Sequence, residues 1–216
     1  LHVYDAAIKS NTGEVYVATP DDKIIDIVKN SGGKAIKTSL NHETGTDRIF
    51  EVFKQTLKEE PKIIINLQGD MPNIEPQAIS NLVSYMNNGK CDIGTLASDF
   101  NSRNEIDDPN AVKVAVKEKF SKNTFLNAYD FFRTSTNSTY NLYHHIGIYA
   151  FTNEALLRYV SLKRSKLELE RKLEQLRALE NNMSIQVGYI ESSPLSVDTE
   201  EDLAEVKNLM EKDEQN

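Results

Sequence analysis

The chain has 216 residues, enough to bury one full hydrophobic core and to form one or two domains. Its formal net charge of −8 argues against a nucleic-acid-binding face, which needs clustered basic side chains. The single cysteine, Cys91, excludes an internal disulfide framework and fits a reducing compartment. No apolar run approaches the roughly 20 residues of a membrane span, so we expect neither a membrane anchor nor an export signal.

Strand-like and helix-like patterns alternate through the first half of the chain. Apolar runs typical of strands occupy residues 15–19, 34–37, 62–68, 92–97 and 111–116. Amphipathic patterns typical of helices begin at Asp21 or Asp22, at Thr46 (ending at Leu57) and at Glu75. This repeated alternation predicts an α/β fold in three layers, with a mainly parallel sheet and right-handed crossovers.

The second half interrupts this alternation and then returns to it. Residues 118–142 are polar and rich in Asn, Ser and Thr, which predicts a loop or a flexible insertion near the ligand edge of the sheet. Strands at 146–151 and 184–190, helices at 153–161, 166–181 and 199–211, and a polar tail at 212–216 are predicted beyond it. Because no repeat or low-complexity linker divides the sequence, we expect a single domain over residues 1–216.

The tripeptide Gln68-Gly69-Asp70 follows an apolar run at 62–67 that is typical of a strand buried on both faces. In open α/β sheets, ligands bind beyond the carboxyl ends of such strands. An aspartate there, directly after a glycine, is well placed to hold a cation or a phosphate-bound metal. An ordinary turn explains the same tripeptide equally well.

Two further segments place polar groups where a helix begins. Residues 42–48 form a glycine-containing turn, where backbone amides can bind an anion or a base edge. A simple helix cap by Thr46 explains the same residues and is the preferred interpretation. Near the C-terminus, Thr199 can cap the last helix with Asp202 at its third position, which leaves Asp198 outside the cap and able to face a ligand.

Segment 144–149 places two histidines at the start of a predicted strand. Adjacent strand residues point to opposite faces, so His144 and His145 are not expected to bind one metal ion. Residues His145 and Tyr149 share a face because an even number of positions separates them. A single histidine at such a position is more often structural than a ligand.

The predicted helix at 166–181 has two contrasting faces. One is a stripe of four leucines at positions 169, 173, 176 and 179, which predicts core packing. The other contains Glu168, Lys172 and Gln175, which follow one another at i, i+4 and i+7. The usual environment of such a polar face is solvent.

Six ordered segments together resemble one family. They are Thr44–Arg48, Asn66–Pro72, Asp108–Lys113, His145–Tyr149, Leu173–Arg177 and Val197–Leu203. Their order and spacing are similar to those of the 3-deoxy-manno-octulosonate (KDO) cytidylyltransferases. The resemblance implies a nucleotide-diphospho-sugar-transferase-like fold, CTP and KDO as substrates, and Mg²⁺ as cofactor. It also implies a cytoplasmic homodimer that makes CMP-KDO and pyrophosphate for lipopolysaccharide synthesis.

The resemblance further implies roles for individual side chains. Asp70 and Asp198 are expected to be the catalytic and metal-binding carboxylates, close enough to share one ion. The residues expected to bind the sugar are Gln68, His145, Glu168 and Gln175, with Tyr149 beside them. The residues expected to lie against the cytosine are Thr44, Gly45, Thr46 and Arg48. We also expect three of the sugar-binding residues, His145, Gln68 and Gln175, to line one cleft.

The sequence departs from the family pattern at several points. Family members begin with a strand and a basic loop that grips the CTP phosphates, whereas this sequence starts at Leu1, inside the helix that follows. The family's Tyr-Phe-Ser-Arg stretch, whose arginine helps to bind the acidic sugar, has no match in 118–142, where Arg133 is a hypothetical substitute. In addition, Met71 replaces the family's Glu and Pro20 replaces its Asp.

These departures determine what we expect of activity. Residues 1–216 alone, taken as N-terminally incomplete, are expected to bind CTP weakly and to turn it over slowly. The reason is that a triphosphate needs Lys, Arg and backbone amides in addition to Mg²⁺. Two alternatives stay open: a cytidylyltransferase for another acidic sugar, and a catalytically impaired or non-catalytic remnant of the family.

Overall fold

The computed structural model describes residues 1–56, 60–89, 91–121, 124–134, 139–197 and 199–213, with the backbone alone at 103–104 and 212–213. The chain divides into two compact units. The first unit contains Leu1–Thr56, Gln68–Asn81 and Pro194–Asn216, and the second contains Leu57–Leu67 and Leu82–Ser193. Compact packing does not by itself establish independently folding domains, so the single domain stays a prediction.

Helices and strands alternate along most of the described chain. In chain order they are α1 (His2–Lys9), β1 (Val17–Thr19), α2 (Asp22–Asn30), β2 (Ala35–Lys37), α3 (Gly45–Thr56), β3 (Ile63–Leu67), α4 (Pro76–Asn88), β4 (Ile93–Ser98), α5 (Arg103–Asp107), β5 (Lys113–Val116), β6 (Phe125–Phe132), β7 (Asn141–Thr152), α6 (Asn153–Ser161), α7 (Lys166–Arg171), α8 (Gln175–Glu180), β8 (Ile185–Tyr189) and α9 (Glu200–Asp213). Among these described helices, none has the length and apolar character needed to cross a membrane.

The first unit packs α2 and α3 against the parallel pair β1–β2. Asp21 caps α2 as predicted, because its carboxylate accepts a hydrogen bond from the backbone N–H of Lys23 at 2.7 Å. The apolar side chains of α2 then separate by face, so that Ile25 and Val28 are buried while Ile24 and Ile27 are exposed.

The second unit contains a six-stranded sheet in the order β3-β7-β4-β8-β6-β5. The long strand β7 also pairs with β5 through its first four residues, 141–144, so β5 bonds to β6 on one edge and to β7 on the other. Strand β4 lies between β7 and β8 and is buried at all six positions. The parallel pairs are β1–β2 and β4–β8, and the other pairs are antiparallel, so the second unit's sheet is mixed rather than mainly parallel.

Strand β6 corrects the prediction of a loop at 118–142. Residues Phe125–Phe132 form a full strand that pairs antiparallel with β5 and β8. The polar residues of this strand led to the prediction of a loop, but they lie on its exposed face: Asn127 and Tyr129 are exposed, while Ala128 between them is buried. Such alternation is typical of an antiparallel strand with one solvated face. Of the remaining residues of this stretch, 122–123 and 135–138 lie outside the described part of the chain.

The prediction of a single helix at 166–181 is also wrong, because two separate helices, α7 and α8, form there. Lys172 ends α7 in the left-handed conformation, with φ 55° and ψ 46°. The break changes which leucines are buried: Leu173 and Leu176 lie in the core, but Leu169 is 53% exposed. Of the four leucines of the predicted stripe, Leu173 and Leu176 are therefore buried, while Leu179 is half-buried.

Strand β3 is more exposed than the prediction of a strand buried on both faces. Four of its five residues are half-buried, and Asn66 alone is buried. Within the described residues, β3 stands at the end of the strand order and bonds to β7 on one edge. An end strand has fewer neighbours to cover it, which explains the exposure of its isoleucines.

Candidate active site

Asp70, the first predicted metal ligand, is half-buried in the first unit beside a segment from the C-terminal part of the chain. The backbone N–H of Val197 donates to the Asp70 carbonyl at 2.9 Å, and the Ser196 hydroxyl donates to Asp70 Oδ2 at 3.2 Å. The N–H of Leu195 donates to Asn73 Oδ1 at 2.9 Å. Residues 195–197 therefore run alongside residues 70–73.

The second predicted metal ligand, Asp198, lies outside the described residues. It is the next residue after Val197, and the helix that follows it has the predicted capping box: the Thr199 N–H donates to Asp202 at 2.8 Å, and the Asp202 N–H donates to the Thr199 hydroxyl at 3.2 Å. In the described part of the chain, no group of three or more His, Cys, Asp or Glu side chains is placed to hold a metal ion. The shared site of Asp70 and Asp198 thus stays a prediction.

The turn predicted to face the cytosine contains a helix cap two residues earlier than expected. Thr44, rather than Thr46, caps α3, because its hydroxyl accepts from the N–H of Asp47 at 3.2 Å and donates to the Asp47 carboxylate at 2.7 Å. Thr46 is instead buried, with 1% of its surface exposed, and Gly45 is exposed. The sequence favoured Thr46 because it directly precedes Asp47, which suits a first helical turn, whereas Thr44 is followed by Gly45.

Arg48 fastens this turn to the end of β2. Its Nη1 donates to the Thr38 hydroxyl at 2.7 Å and to the Ser39 carbonyl at 2.9 Å. Thr38 is buried, so one end of the guanidinium lies against the unit's interior. The arginine therefore positions the turn, and its contact with cytosine stays a prediction.

His145 lies in the core of the second unit, with 6% of its surface exposed. Its Nε2 is 2.9 Å from the Thr95 hydroxyl, which donates to the Ile148 carbonyl at 2.7 Å, and the Phe131 ring meets the imidazole edge-on. Because the threonine proton goes to the carbonyl, the imidazole proton belongs on Nε2. Burial lowers the pKa of His145 to about 3, with a smaller contribution from His144, so the ring is neutral near pH 7.

His144 has a separate environment, as the alternation of strand residues predicts. Its Nδ1 lies 2.8 Å from a carboxylate oxygen of Glu105 and 3.0 Å from the Ser193 hydroxyl, and its ring stacks on Phe100. The two adjacent histidines therefore make different contacts on opposite sides of β7.

Tyr149 lies beside His145 and interacts electrostatically with Glu174 and Arg133. The His145 and Tyr149 rings lie 5.4 Å apart. Burial raises the pKa of the Tyr149 phenol well above its ordinary value, the neighbouring Glu174 and Tyr159 act in the same direction, and the positive charge of Arg133 acts against them. Glu174 and Arg133 therefore both lie near the tyrosine. Glu174 is a candidate site residue that the sequence analysis missed, although it directly precedes Gln175 within one of the six segments.

Glu168 lies in a buried ion cluster rather than on a solvent face. Its carboxylate accepts from Arg177 Nε at 2.9 Å and Nη2 at 2.6 Å, from Arg164 Nε at 2.9 Å, and from the Ser165 N–H at 3.0 Å. Burial acts to raise the pKa of Glu168, but the hydrogen bonds from Arg177, Ser165 and Arg164 outweigh it and hold the pKa below the ordinary value. Its predicted contact with the sugar is untested.

The remaining predicted sugar-binding residues divide between the two units. Gln175 starts α8 in the second unit and is buried, with 4% of its surface exposed, which corrects the expectation of a solvated face. Directly before it, the Glu174 carbonyl accepts from the Tyr159 hydroxyl at 2.9 Å. Gln68 is half-buried in the first unit. A common cleft for Gln68, His145 and Gln175 stays a prediction.

Comparison with known proteins places the chain and its fold in one class. A family model described as "Cytidylyltransferase" matches residues 1–185. A solved structure of CMP:2-keto-3-deoxy-manno-octonic acid synthetase complexed with CTP superposes with a TM-score of 0.86 and 34% identity, and the match covers 98% of this chain and 87% of that chain. The 4-diphosphocytidyl-2C-methyl-D-erythritol synthase of Anaerococcus prevotii shares the fold, with a TM-score of 0.58 and 16% identity over 97% of this chain and 89% of its own. The fold and the matched model define a cytidylyltransferase, which is a nucleotidyltransferase.

Curated relatives narrow this class. The 3-deoxy-manno-octulosonate cytidylyltransferase of Bartonella henselae is 40% identical over 97% of this chain and 86% of its own length. The enzyme of the same name from Thermodesulfovibrio yellowstonii is 40% identical over 94% of this chain and 84% of its own length. The chain belongs to the 3-deoxy-manno-octulosonate cytidylyltransferase family, which confirms the predicted resemblance to this family and the predicted α/β nucleotide-sugar-transferase-like fold.

The buried imidazole predicts how stability depends on pH. The folded pKa of His145 is about 3, below the ordinary value of about 6.5, so the unfolded chain takes up the proton first. This contribution to stability is complete above about pH 6.5 and is lost as the pH falls toward 3. When the pH falls from about 6.5 to 5, the free energy of unfolding measured with urea should decrease in both proteins. The decrease should be about 2 kcal/mol smaller in His145→Gln than in the unmodified protein. His2→Gln, at an exposed position, is the control, and an unchanged pH slope in His145→Gln would contradict the assignment.

The Glu168 cluster predicts a large difference between two glutamates of one helix. Glu168→Gln should lower the free energy of unfolding by about 3–5 kcal/mol, because it removes the carboxylate that neutralises the buried Arg177. Glu170→Gln is the matched control, since Glu170 pairs with Lys166 at 3.7 Å on the surface and should cost less than about 1 kcal/mol. Chemical denaturation followed by circular dichroism measures both variants, and equal losses would show that the cluster is not a stabilising centre.

Proposed function

We propose that the protein transfers a cytidylyl group from CTP to KDO, which gives CMP-KDO and pyrophosphate for lipopolysaccharide biosynthesis. Family membership at 40% identity over 97% of the chain supports the reaction, and the superposable CTP complex supports CTP as the nucleotide. In the structure, the observation that supports it best is the hydrogen bond of Val197 to the Asp70 carbonyl, since it puts the position preceding Asp198 beside Asp70. A cytoplasmic homodimer is part of the same proposal.

The chemistry requires positioning more than covalent help from the protein. The anomeric hydroxyl of the sugar attacks the α-phosphorus of CTP, so a bond forms between that oxygen and phosphorus. The bond from the α-phosphorus to the bridging oxygen breaks, the hydroxyl proton is lost, and pyrophosphate leaves. Negative charge grows on the phosphoryl oxygens and on the leaving group. In-line alignment and charge neutralisation therefore supply most of the rate.

The Asp70 carboxylate is a donor of the kind that suits a hard divalent cation. Carboxylate oxygens are the ligands that Mg²⁺ prefers, and it typically takes one or two of them together with water and phosphate oxygens. Asp70 lies beside residues 195–197, so Asp198 follows within one residue of that contact. We assign Asp70 and Asp198 as the residues that hold Mg²⁺. When bound, the ion neutralises charge on the phosphoryl oxygens and on the departing pyrophosphate.

The acidic sugar needs a cation of its own, and Arg133 is the residue that we propose for it. It stands directly after β6, half-buried, with its positive charge near Tyr149. Its Nη1 donates to main-chain carbonyls, at 3.1 Å to Pro109 and at 3.5 Å to Asn110, which fixes the plane of the guanidinium. A planar guanidinium binds a carboxylate with two parallel hydrogen bonds. Arg133 is thus proposed to bind the KDO carboxylate, in the role of the family arginine.

A coupled pyrophosphate assay with CTP, KDO and Mg²⁺ tests the reaction on the protein expressed from its complete reading frame. We expect turnover with KDO, and we expect Asp70→Asn to lower kcat by at least about 100-fold, because the variant loses a charged metal ligand. Asp26→Asn, on the exposed face of α2, is the control and should keep the unmodified rate. Turnover with another acidic sugar in place of KDO would support the alternative substrate, and no pyrophosphate with any acidic sugar would support the non-catalytic remnant.

The role of Arg133 predicts a selective change in KM. Arg133→Gln should raise KM for KDO by about 10- to 100-fold, the loss expected for a charge-assisted hydrogen-bonded pair, while KM for CTP changes less than about twofold. Arg158→Gln is the matched control, since Arg158 also donates to a main-chain carbonyl, that of Asn181 at 2.8 Å, but on the exposed side of α6. Equal increases in KM for CTP and for KDO would show that Arg133 supports the structure of the site and does not bind the KDO carboxylate.

A further inference from the structure

The segment Asp108–Lys113 helps to identify the family, and its Pro109 and Asn110 hold the Arg133 guanidinium, but the reaction described so far gives Lys113 no role. In the structure, Lys113 starts β5 and is completely buried, with 0% of its surface exposed. Its Nζ donates to two main-chain carbonyls, that of Asp108 at 2.6 Å and that of Arg133 at 2.7 Å. The ammonium therefore links the start of the segment to the residue that follows β6.

The same segment also holds the other end of Arg133. The guanidinium Nη1 donates to the carbonyls of Pro109 and Asn110, while the main-chain carbonyl accepts from Lys113. A single run of six residues thus fixes Arg133 at both its backbone and its charged group. An arginine held in this way loses little conformational freedom when a ligand binds.

Burying an ammonium group costs desolvation free energy, so a lysine is an unfavourable choice if its role is only to join two strands. Burial lowers the pKa of Lys113, and the carboxylates of Asp108, Asp107 and Glu105 act in the opposite direction, while Arg133 adds to the lowering. The pairing of β5 with β6 already aligns Lys113 with Phe132, and on the other edge β7 aligns it with His144. The strands therefore have backbone pairing at this position without the lysine side chain.

We propose that Lys113 is a positioning residue for the acidic sugar: by holding the Arg133 carbonyl and the Asp108 carbonyl together, it presents the Arg133 guanidinium to the substrate carboxylate. The inference rests on the proposed function, because it gives Lys113 its effect only through Arg133. Lys113 itself does not touch the substrate, because its side chain is completely buried. Its contribution is the fixed geometry of a cation that would otherwise move with the end of a strand.

Steady-state kinetics of Lys113→Met test this role. The methionine keeps the apolar stem but cannot donate, so KM for KDO should rise about 10-fold while KM for CTP and kcat stay within about twofold. Lys117→Met, at an exposed position just beyond the same strand, is the control and should change neither constant. A double variant, Lys113→Met with Arg133→Gln, should bind KDO no more weakly than Arg133→Gln alone, since both changes remove one interaction. A purely structural lysine would give additive losses or raise both KM values together, and either result would overturn the proposal.

Failures of the two proposals are distinguishable. If Arg133→Gln raises KM for KDO and Lys113→Met does not, the positioning role is wrong and the proposed function stands. If Arg133→Gln leaves KM for KDO unchanged, the positioning role is wrong because the residue it acts through has no role. Circular dichroism checks folding, and if Lys113→Met is unfolded, Lys113→Leu, which also cannot donate, replaces it and must show the same selective rise in KM. Unfolding of both variants would show that Lys113 supports the whole unit, which would overturn the proposal.

Discussion

Charge burial is the constraint on which the second unit depends. An ionised group removed from water is stable only when other groups replace its hydration. The protein meets this requirement in three ways: Glu168 is surrounded by two arginines and a backbone N–H, Lys113 is held by two carbonyls, and His145 stays neutral. Each solution fixes the backbone or side chains of the neighbouring segment, and those segments are the ones that carry the candidate sugar-binding residues.

This constraint explains why the candidate residues have defined positions although several lie outside regular elements. Arg177 reaches back to Glu168 and lies over the Tyr159 ring at 4.5 Å, and Tyr159 in turn donates to the Glu174 carbonyl. The turn that carries Glu174 and Gln175 is thus supported from two sides. Residues that bind a substrate precisely need such support, because a loosely held group gives up part of its binding energy when it becomes ordered.

The sequence predicted most helices and strands correctly, but it predicted the burial and the contacts of their side chains less well. Strong apolar runs and cap residues such as Asp21 located most helices and strands, and six ordered segments identified the family. Strand β6 was missed because its exposed face is polar, and the break at Lys172 was missed because lysine carries no signal for a left-handed conformation. The restraint of Arg133 could not be predicted, since its partners are main-chain carbonyls more than 20 positions away, and carbonyls leave no mark in a sequence.

The neutral tautomer of His145 has a consequence for proton transfer. With its proton on Nε2 and directed to the Thr95 hydroxyl, the imidazole offers its other nitrogen, Nδ1, only as a lone pair. A side chain whose pKa is about 3 is unprotonated in the ligand-free protein at neutral pH, so it can accept a hydrogen bond from a hydroxyl but does not enter the reaction as an imidazolium donor. An acidic limb near neutrality in the pH profile of kcat/KM, which reports the free enzyme, therefore belongs to the substrates or to another group.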